Sequence, residues 1–210
     1  MIEALAIIIG YLLGTIPTAY LVTRLVKGWD IRELGGGNVG GTNVYREVGL
    51  GPALLVLLFD LGKGAAAVAI AKWWLDVPDI FILLAALAAV IGHNWMPWLK
   101  FAGGKGMGAT VGALCVLFPA YGYTLELVIF LAILLIPLAI TRNIALAMFL
   151  GLFSLPFIVW FSSYSIIATV ISVVVFLIIG LKFWTTAIAA LQNLMGRKSA
   201  VKVKAKKEQR

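Results

Sequence analysis

Ile80-Phe-Ile-Leu-Leu-Ala-Ala-Leu-Ala-Ala-Val90 and Ile166-Ile-Ala-Thr-Val-Ile-Ser-Val-Val-Val-Phe-Leu-Ile-Ile179 decide the fold class. Both stretches are apolar on every face, as a helix buried in lipid or in a helical bundle is, whereas the strands of a membrane barrel alternate apolar and polar residues. The rest of the chain agrees. Of its 210 residues 62% are hydrophobic and 12% charged, and the mean hydropathy is +1.05, which no soluble domain matches. At about 20 apolar residues per crossing, the length accommodates roughly six or seven helices and no separate soluble domain. The sequence therefore predicts an all-α integral membrane protein, a single bundle of about seven transmembrane helices.

The apolar runs place spans near Ile2–Val26, Gly51–Leu75, Ile80–Pro97, Met107–Pro119, Tyr123–Ile140, Ile144–Phe161 and Ser165–Phe183. The first run has no basic leader region and no convincing cleavage site, so it reads as a retained span. Its Gly10 and Gly14, like Gly104, Gly108 and Gly112, are spaced for close helix contact, because small residues let backbones approach where no water drives association. Residues 1–196 read as the transmembrane domain and 197–210 as a basic tail.

Cytoplasmic loops carry the excess of Lys and Arg. On an alternating path, Arg24, Lys27, Arg32, Arg46, Lys100, Lys105, Arg142 and Lys182 fall on one side, and the opposite connections hold almost no basic residue. The expectation is an N-terminus outside, a C-terminus inside, and glycine-rich loops opening to the cytoplasm. The tail's seven Lys and Arg, set against Glu208, account for six of the eight net positive charges. Such a segment is drawn to anionic membrane lipids. Nucleic acid is excluded as a partner, since the tail has neither stacking aromatics nor a recognisable motif.

Two segments between the spans carry the chemistry. Gly35-Gly-Gly-Asn-Val-Gly-Gly-Thr-Asn43 holds five glycines in seven positions, which costs conformational entropy that a plain connector avoids. Asn38, Thr42 and Asn43 add neutral hydrogen-bonding groups, and Arg46 adds a planar donor fork suited to phosphate. Gly103-Gly-Lys-Gly-Met-Gly108 repeats the device, with Lys105 as its cation. Glycine lets backbone N–H groups curve toward an anion, and the cation completes the site. Neither segment is a nucleotide-hydrolysing loop, because no Gly-Lys-Ser/Thr follows at the required spacing.

Asp60 and Lys63 lie three apart in the second span and share a helix face. They read either as an ion pair holding helices in register or as the floor of a phosphate pocket, with Lys63 as an anion ligand oriented by Asp60. His93, the single histidine, stands at a span end as a candidate general base or as a brace for unpaired backbone groups. Cys115 is a lone cysteine that reads as a small buried apolar residue. One His and scattered carboxylates make no metal cluster.

In order along the chain, Tyr11-Leu-Leu-Gly-Thr-Ile-Pro17, Asp30-Ile-Arg32, the first glycine loop with Arg46, Asp60-Leu-Gly-Lys-Gly64, Gly92-His-Asn94, Gly103-Gly-Lys-Gly106 and Thr141-Arg142 closely resemble the bacterial acyl-phosphate-dependent glycerol-3-phosphate acyltransferases of the PlsY type. The match covers about two-thirds of the chain. The resemblance implies a seven-helix inner-membrane enzyme. It would move a fatty acyl group from acyl phosphate to the 1-hydroxyl of glycerol 3-phosphate, giving 1-acyl-glycerol 3-phosphate and phosphate for phospholipid synthesis, with no cofactor and no metal. It implies catalytic roles for Lys105, Arg46, Asn38 and His93. Substrate contacts are implied for Gly36, Gly37, Gly40, Gly41, Thr42, Asn43, Asp60, Lys63, Gly103, Gly104, Gly106 and Arg142.

The chain departs from that pattern at several places. The serine usual in the family's first loop is Gly36, its proline Val39 and its alanine Gly41; the serine usual after Thr141-Arg142 is Ala145. The family's C-terminal His and Asn have no counterpart in Lys182–Gly196, where Thr185, Gln192 and Asn193 are the available polar residues. A divergent acyltransferase with another donor or acceptor, and a transporter for an anionic phosphate compound, stand beside the first reading. A transporter would be expected to repeat its halves, and no internal repeat is evident.

Overall fold

A computed structural model describes residues 1–184. The tail and the residues from Thr185 onward lie outside that range. The described chain is helical: α1 Ile2–Gly14, α2 Thr18–Lys27, α3 Gly41–Glu47, α4 Leu50–Ala69, α5 Asp79–Asn94, α6 Met107–Ala120, α7 Thr124–Thr141, α8 Ile144–Ser163 and α9 Ile166–Trp184. Six stretches are long and apolar enough to cross a membrane: Ile2–Lys27, Leu50–Trp74, α5 with its extension to Leu99, α7, α8 and α9. α6 is shorter, at 14 residues. Its rise of about 21 Å falls short of a ~30 Å hydrocarbon core. The second glycine segment precedes it in the chain.

The first span is one run in the sequence and two helices in the structure. Pro17 has no N–H to donate and disfavours helical backbone at Ile16, so α1 ends at Gly14 and α2 begins at Thr18. The second difference lies in the first glycine segment. It is loop only as far as Gly40, and Gly41, Thr42 and Asn43 form the first turn of α3, which carries Arg46.

α1 packs along α5, α4 along α6, and α7 along α8. Small residues bring the first two pairs to backbone contact. A Cβ on Gly10 or Gly14 would collide with the Ala85 or Ala89 carbonyl of α5, and one on Gly64 or Gly112 with the carbonyls of Ala109 or Leu61. The close crossings expected at Gly10, Gly14 and Gly112 are therefore present, with contact made through backbone, whereas Gly104 lies in the loop before α6 and marks no helix crossing. α9 closes the bundle by packing Val175 and Ile179 against Val90, Ala109, Met148 and Leu152. The outer face of α4 shows Leu54, Leu55, Leu57, Leu58 and Phe59, side chains suited to lipid. Cys115 is exposed rather than buried as expected. In a span the outer face is apolar too, so composition does not distinguish it from the interior.

Candidate active site

The buried charges of α4 gather at the break in the first span, where the Ile16 carbonyl also accepts from the Thr18 N–H at 2.9 Å. A carbonyl freed at membrane depth must find a partner inside the protein. Lys63 Nζ reaches the Ile16 carbonyl at 3.4 Å and pairs with Asp60 Oδ1 at 2.9 Å. Thr18, the first residue of α2, donates its hydroxyl to the same carboxylate oxygen at 2.6 Å. Trp98 Nε1 donates to Thr15 Oγ1 at 3.0 Å from the opposite side of the break. Asp60 and Lys63 are each 5% exposed, so their charges balance one another in place of water.

His93 continues the cluster. Its Nδ1 lies 3.6 Å from Asp60 Oδ1 and makes no hydrogen bond, and the side chain is 3% exposed. The ring packs against Gly104, where any Cβ would strike Nε2, and the Gly104 N–H donates to the His93 carbonyl at 3.0 Å. The second glycine segment thus folds back over the end of α5. Gly103 lies on the His93 and Asn94 carbonyls, and Gly106, at φ +80, lies over the Asn94 side chain. Asn94 is fully buried with both amide atoms unpartnered.

The first segment lies against the second. A Cβ on Gly104 would also meet the Val39 carbonyl at 2.8 Å. Asn43 Nδ2 donates to the Ile31 and Leu34 carbonyls, at 3.3 and 3.0 Å, which draws the loop over the short turn Ile31–Glu33. That turn is held by Asp30, whose Oδ2 accepts from Arg32 Nη2 at 2.6 Å while Arg32 Nη1 reaches the Leu99 carbonyl at 3.4 Å. The Arg32 guanidinium holds the Asp30 carboxyl below the usual carboxylate range. Gly36 faces open space, Gly35 and Gly37 take positive φ, and the Asn38 Oδ1 is buried without a partner.

Arg46 and Lys105 complete the arrangement. Lys105 Nζ lies 3.7 Å from the centre of the Phe183 ring, and the next cation on α9, Lys182, lies 5.3 Å from that of Trp95. Burial first, and then the charge of Arg46, push the Lys105 ammonium below the ordinary lysine range. No carboxylate stands within ion-pair distance of Arg46 or Lys105 among the described residues. Two cations that repel one another beside unpartnered amide groups form an environment that an anion relieves.

The structure therefore brings together Asn38, Val39, Gly40, Gly41, Thr42, Arg46, His93, Gly103, Gly104, Lys105 and Gly106 at one end of the bundle. Asp60 and Lys63 lie beneath them, bonded to the break in the first span. Arg142, at the αL end of α7, is exposed and stands apart from the loops in the contacts described. Sequence reasoning missed Thr18, Trp98 and Phe183. Pro17 gave a signal for the first two, since a break inside a span implies partners for its backbone. Nothing local marks Phe183.

A polytopic helical bundle with paired glycine segments and, among the described residues, two cations without a carboxylate partner at one end defines an integral membrane protein with a cationic loop site. The comparisons make this specific. The sequence profile of the family described as "Glycerol-3-phosphate acyltransferase" matches residues 4–194. Glycerol-3-phosphate acyltransferase 1 of Dehalococcoides mccartyi (strain ATCC BAA-2266 / KCTC 15142 / 195) is 55% identical over 179 residues, 85% of this chain and 86% of that one. The glycerol-3-phosphate acyltransferase of Synechococcus sp. (strain JA-2-3B'a(2-13)) is 44% identical, over 74% of each. The crystal structure of PlsY, an integral membrane glycerol 3-phosphate acyltransferase, in its glycerol 3-phosphate form superposes with a TM-score of 0.79 at 26% identity, covering 91% of this chain and 92% of that one. The chain belongs to the glycerol-3-phosphate acyltransferase family, and it is a membrane-embedded acyltransferase that acylates glycerol 3-phosphate.

Proposed function

We propose that the acyl donor is acyl phosphate and that the acceptor is the 1-hydroxyl of sn-glycerol 3-phosphate. The reaction then yields 1-acyl-glycerol 3-phosphate and inorganic phosphate at the cytoplasmic face of a bacterial plasma membrane. The observation that carries this reading is the pair Arg46 and Lys105, uncompensated by any carboxylate among the described residues and set across two abutting glycine segments. Both substrates carry phosphate, and two glycine segments with two cations form an inventory for two such groups.

In this scheme Arg46 binds phosphate oxygens through its planar fork and Lys105 acts as a point charge. Asn38 and the backbone N–H groups of Gly36, Gly37, Gly40, Gly41, Thr42, Gly103, Gly104 and Gly106 supply the remaining donors. Asn43, Asp60 and Lys63 hold the two segments in place from below, and His93 fixes Gly104; Arg142, set apart from the loops, has no part in this scheme. The glycerol oxygen attacks the acyl carbonyl, the carbon–oxygen bond to phosphate breaks, and the hydroxyl proton passes to a phosphate oxygen. An acyl phosphate is already activated, so positioning and charge stabilisation provide the rate enhancement without an acyl-enzyme.

The test supplies purified protein with long-chain acyl phosphate and glycerol 3-phosphate and follows phosphate release together with lysophosphatidic acid. Turnover with acyl-CoA and none with acyl phosphate would overturn the donor assignment. A covalent acyl adduct on any side chain would overturn direct attack. The excess of Lys and Arg at the loop end supports an N-terminus outside and a C-terminus inside. Protease access to a tag fused at either end of the chain in sealed vesicles reads that orientation.

A further inference from the structure

A cavity of about 300 Å³, predominantly apolar in lining, runs between α5, α6, α8 and α9. Its inner end is set by Val90 and Thr110. Both lie beneath Gly106: a Cβ there would meet Val90 Cγ1 at 2.9 Å, and Thr110 donates its N–H and hydroxyl to the Gly106 carbonyl at 2.9 and 3.0 Å. The α5 wall continues through Leu87 and Leu83 to Asp79, and the α6 wall through Leu114 and Leu117 to Tyr121. Each wall spans eleven helical steps, or about 16 Å at the helical rise. At the far end the lining turns polar. Tyr121 donates its hydroxyl to Asp79, Lys72 stands 3.9 Å from the centre of the Tyr121 ring, and Ser163 and Ser165 complete that end.

A cationic head site, an apolar body that adjoins it through Val90 and Thr110 beneath Gly106, and a polar floor together describe an amphiphile with an anionic head and one alkyl tail. We infer that this cavity takes the fatty chain of the acyl donor, and that the Asp79–Tyr121 hydrogen bond is the floor that limits its length. The inference rests on the reading of the loops as phosphate sites and adds the chain-length determinant to it. From Asn94, level with the loops, to Asp79 is fifteen residues, or about 22 Å. A fully extended chain advances ~1.2 Å per bond, on the 3.6 Å that three backbone bonds span, so roughly eighteen carbons reach the floor. A longer chain must break the Asp79–Tyr121 bond or strip water from its groups.

The experiment measures kcat/KM for a graded series of saturated acyl phosphates, on wild-type protein and two variants. Tyr121→Ala removes the floor and is expected to extend the upper limit by several carbons. Ala86→Phe fills the cavity partway down and is expected to lower the limit, cutting long-chain turnover about tenfold while short chains and the KM for glycerol 3-phosphate stay unchanged. A second readout needs no donor: the thermal stabilisation given by 1-acyl-glycerol 3-phosphates of graded length should break at the same carbon number and move in the same directions. If wild type turns over no acyl phosphate, the donor assignment fails while the stabilisation series still reads the cavity. Length profiles that are the same in all three proteins would overturn the inference and leave the cavity to bilayer lipid.

Discussion

The two glycine segments look alike in sequence and serve different physical ends. In the first, Gly36 has nothing near the place where a side chain would stand, and Gly35 and Gly37 are there for their positive φ. In the second, Gly103 and Gly104 have no room for a Cβ at all, because His93, Asn94 and Val39 already occupy it. One segment uses glycine to bend and the other to pack. Gly36 in the open segment is therefore free to change, whereas Gly103 and Gly104 are tied to α5, with His93 beside the buried charges of α4.

The largest effect falls on the support of the packed segment. Asp60→Ala strips Lys63 of its partner and leaves a buried ammonium at membrane depth, a loss of about 3–5 kcal/mol. The protein should aggregate or melt far below wild type in detergent, and a melting temperature within a few degrees of the parent would show that Asp60 does not anchor the cluster. Lys105→Ala comes next and separates chemistry from folding. With the melting curve unchanged, kcat/KM should fall at least ~10²-fold, as expected when a charge-assisted donor is lost from a reacting phosphate.

Lys105 also sets a pH limit. Burial and Arg46 lower its pKa, so the charged form is lost as pH rises through a value below that of ordinary lysine. The wild-type rate should decline there, and the residual activity of Lys105→Arg should persist to higher pH because a guanidinium stays charged. A shared alkaline limb in the two proteins would assign the titration to another group. Gly104→Ala is smaller again. Its methyl pushes on the His93 ring and the Val39 carbonyl, costing about 1–3 kcal/mol as overpacking does. Thermal melting checks it, and a stability equal to wild type would mean that the two segments part easily.

Much of this was legible in the residues themselves. Runs such as Ile80–Val90 require helices in lipid whatever their neighbours, and Gly10 and Gly14 announce a close crossing because nothing else explains small residues there. Arg46 and Lys105 were legible as cations beside glycine. The break at Pro17 was hidden by hydropathy, which sums over a window and does not register a missing N–H. Thr18 and Trp98 were hidden with it, since their roles exist only once the break does. Asn43 illustrates the opposite limit: an amide beside a phosphate-type loop invites a ligand, while its Nδ2 is taken up by the Ile31 and Leu34 carbonyls. Side-chain type alone does not say whether a donor faces inward or outward.

The smallest effect is the sharpest test of the difference between the segments. The family pattern carries a serine where this chain has Gly36, and the chain keeps space for one, with no atom within 4 Å of the added Cβ and no positive φ at that residue. Gly36→Ser should therefore fold and melt like wild type, since it adds no clash and removes only a little unfolded-state freedom. Its hydroxyl would stand in the open space beside the loop. If the first segment binds through backbone N–H groups, kcat/KM should change by no more than about threefold, under 1 kcal/mol of transition-state stabilisation. A gain of tenfold or more would mean that the hydroxyl performs a step for which the wild-type chain has no group. A loss of that size would mean that the open space at Gly36 is filled by substrate, and the first segment would then be as tightly packed in the working enzyme as the second is at rest.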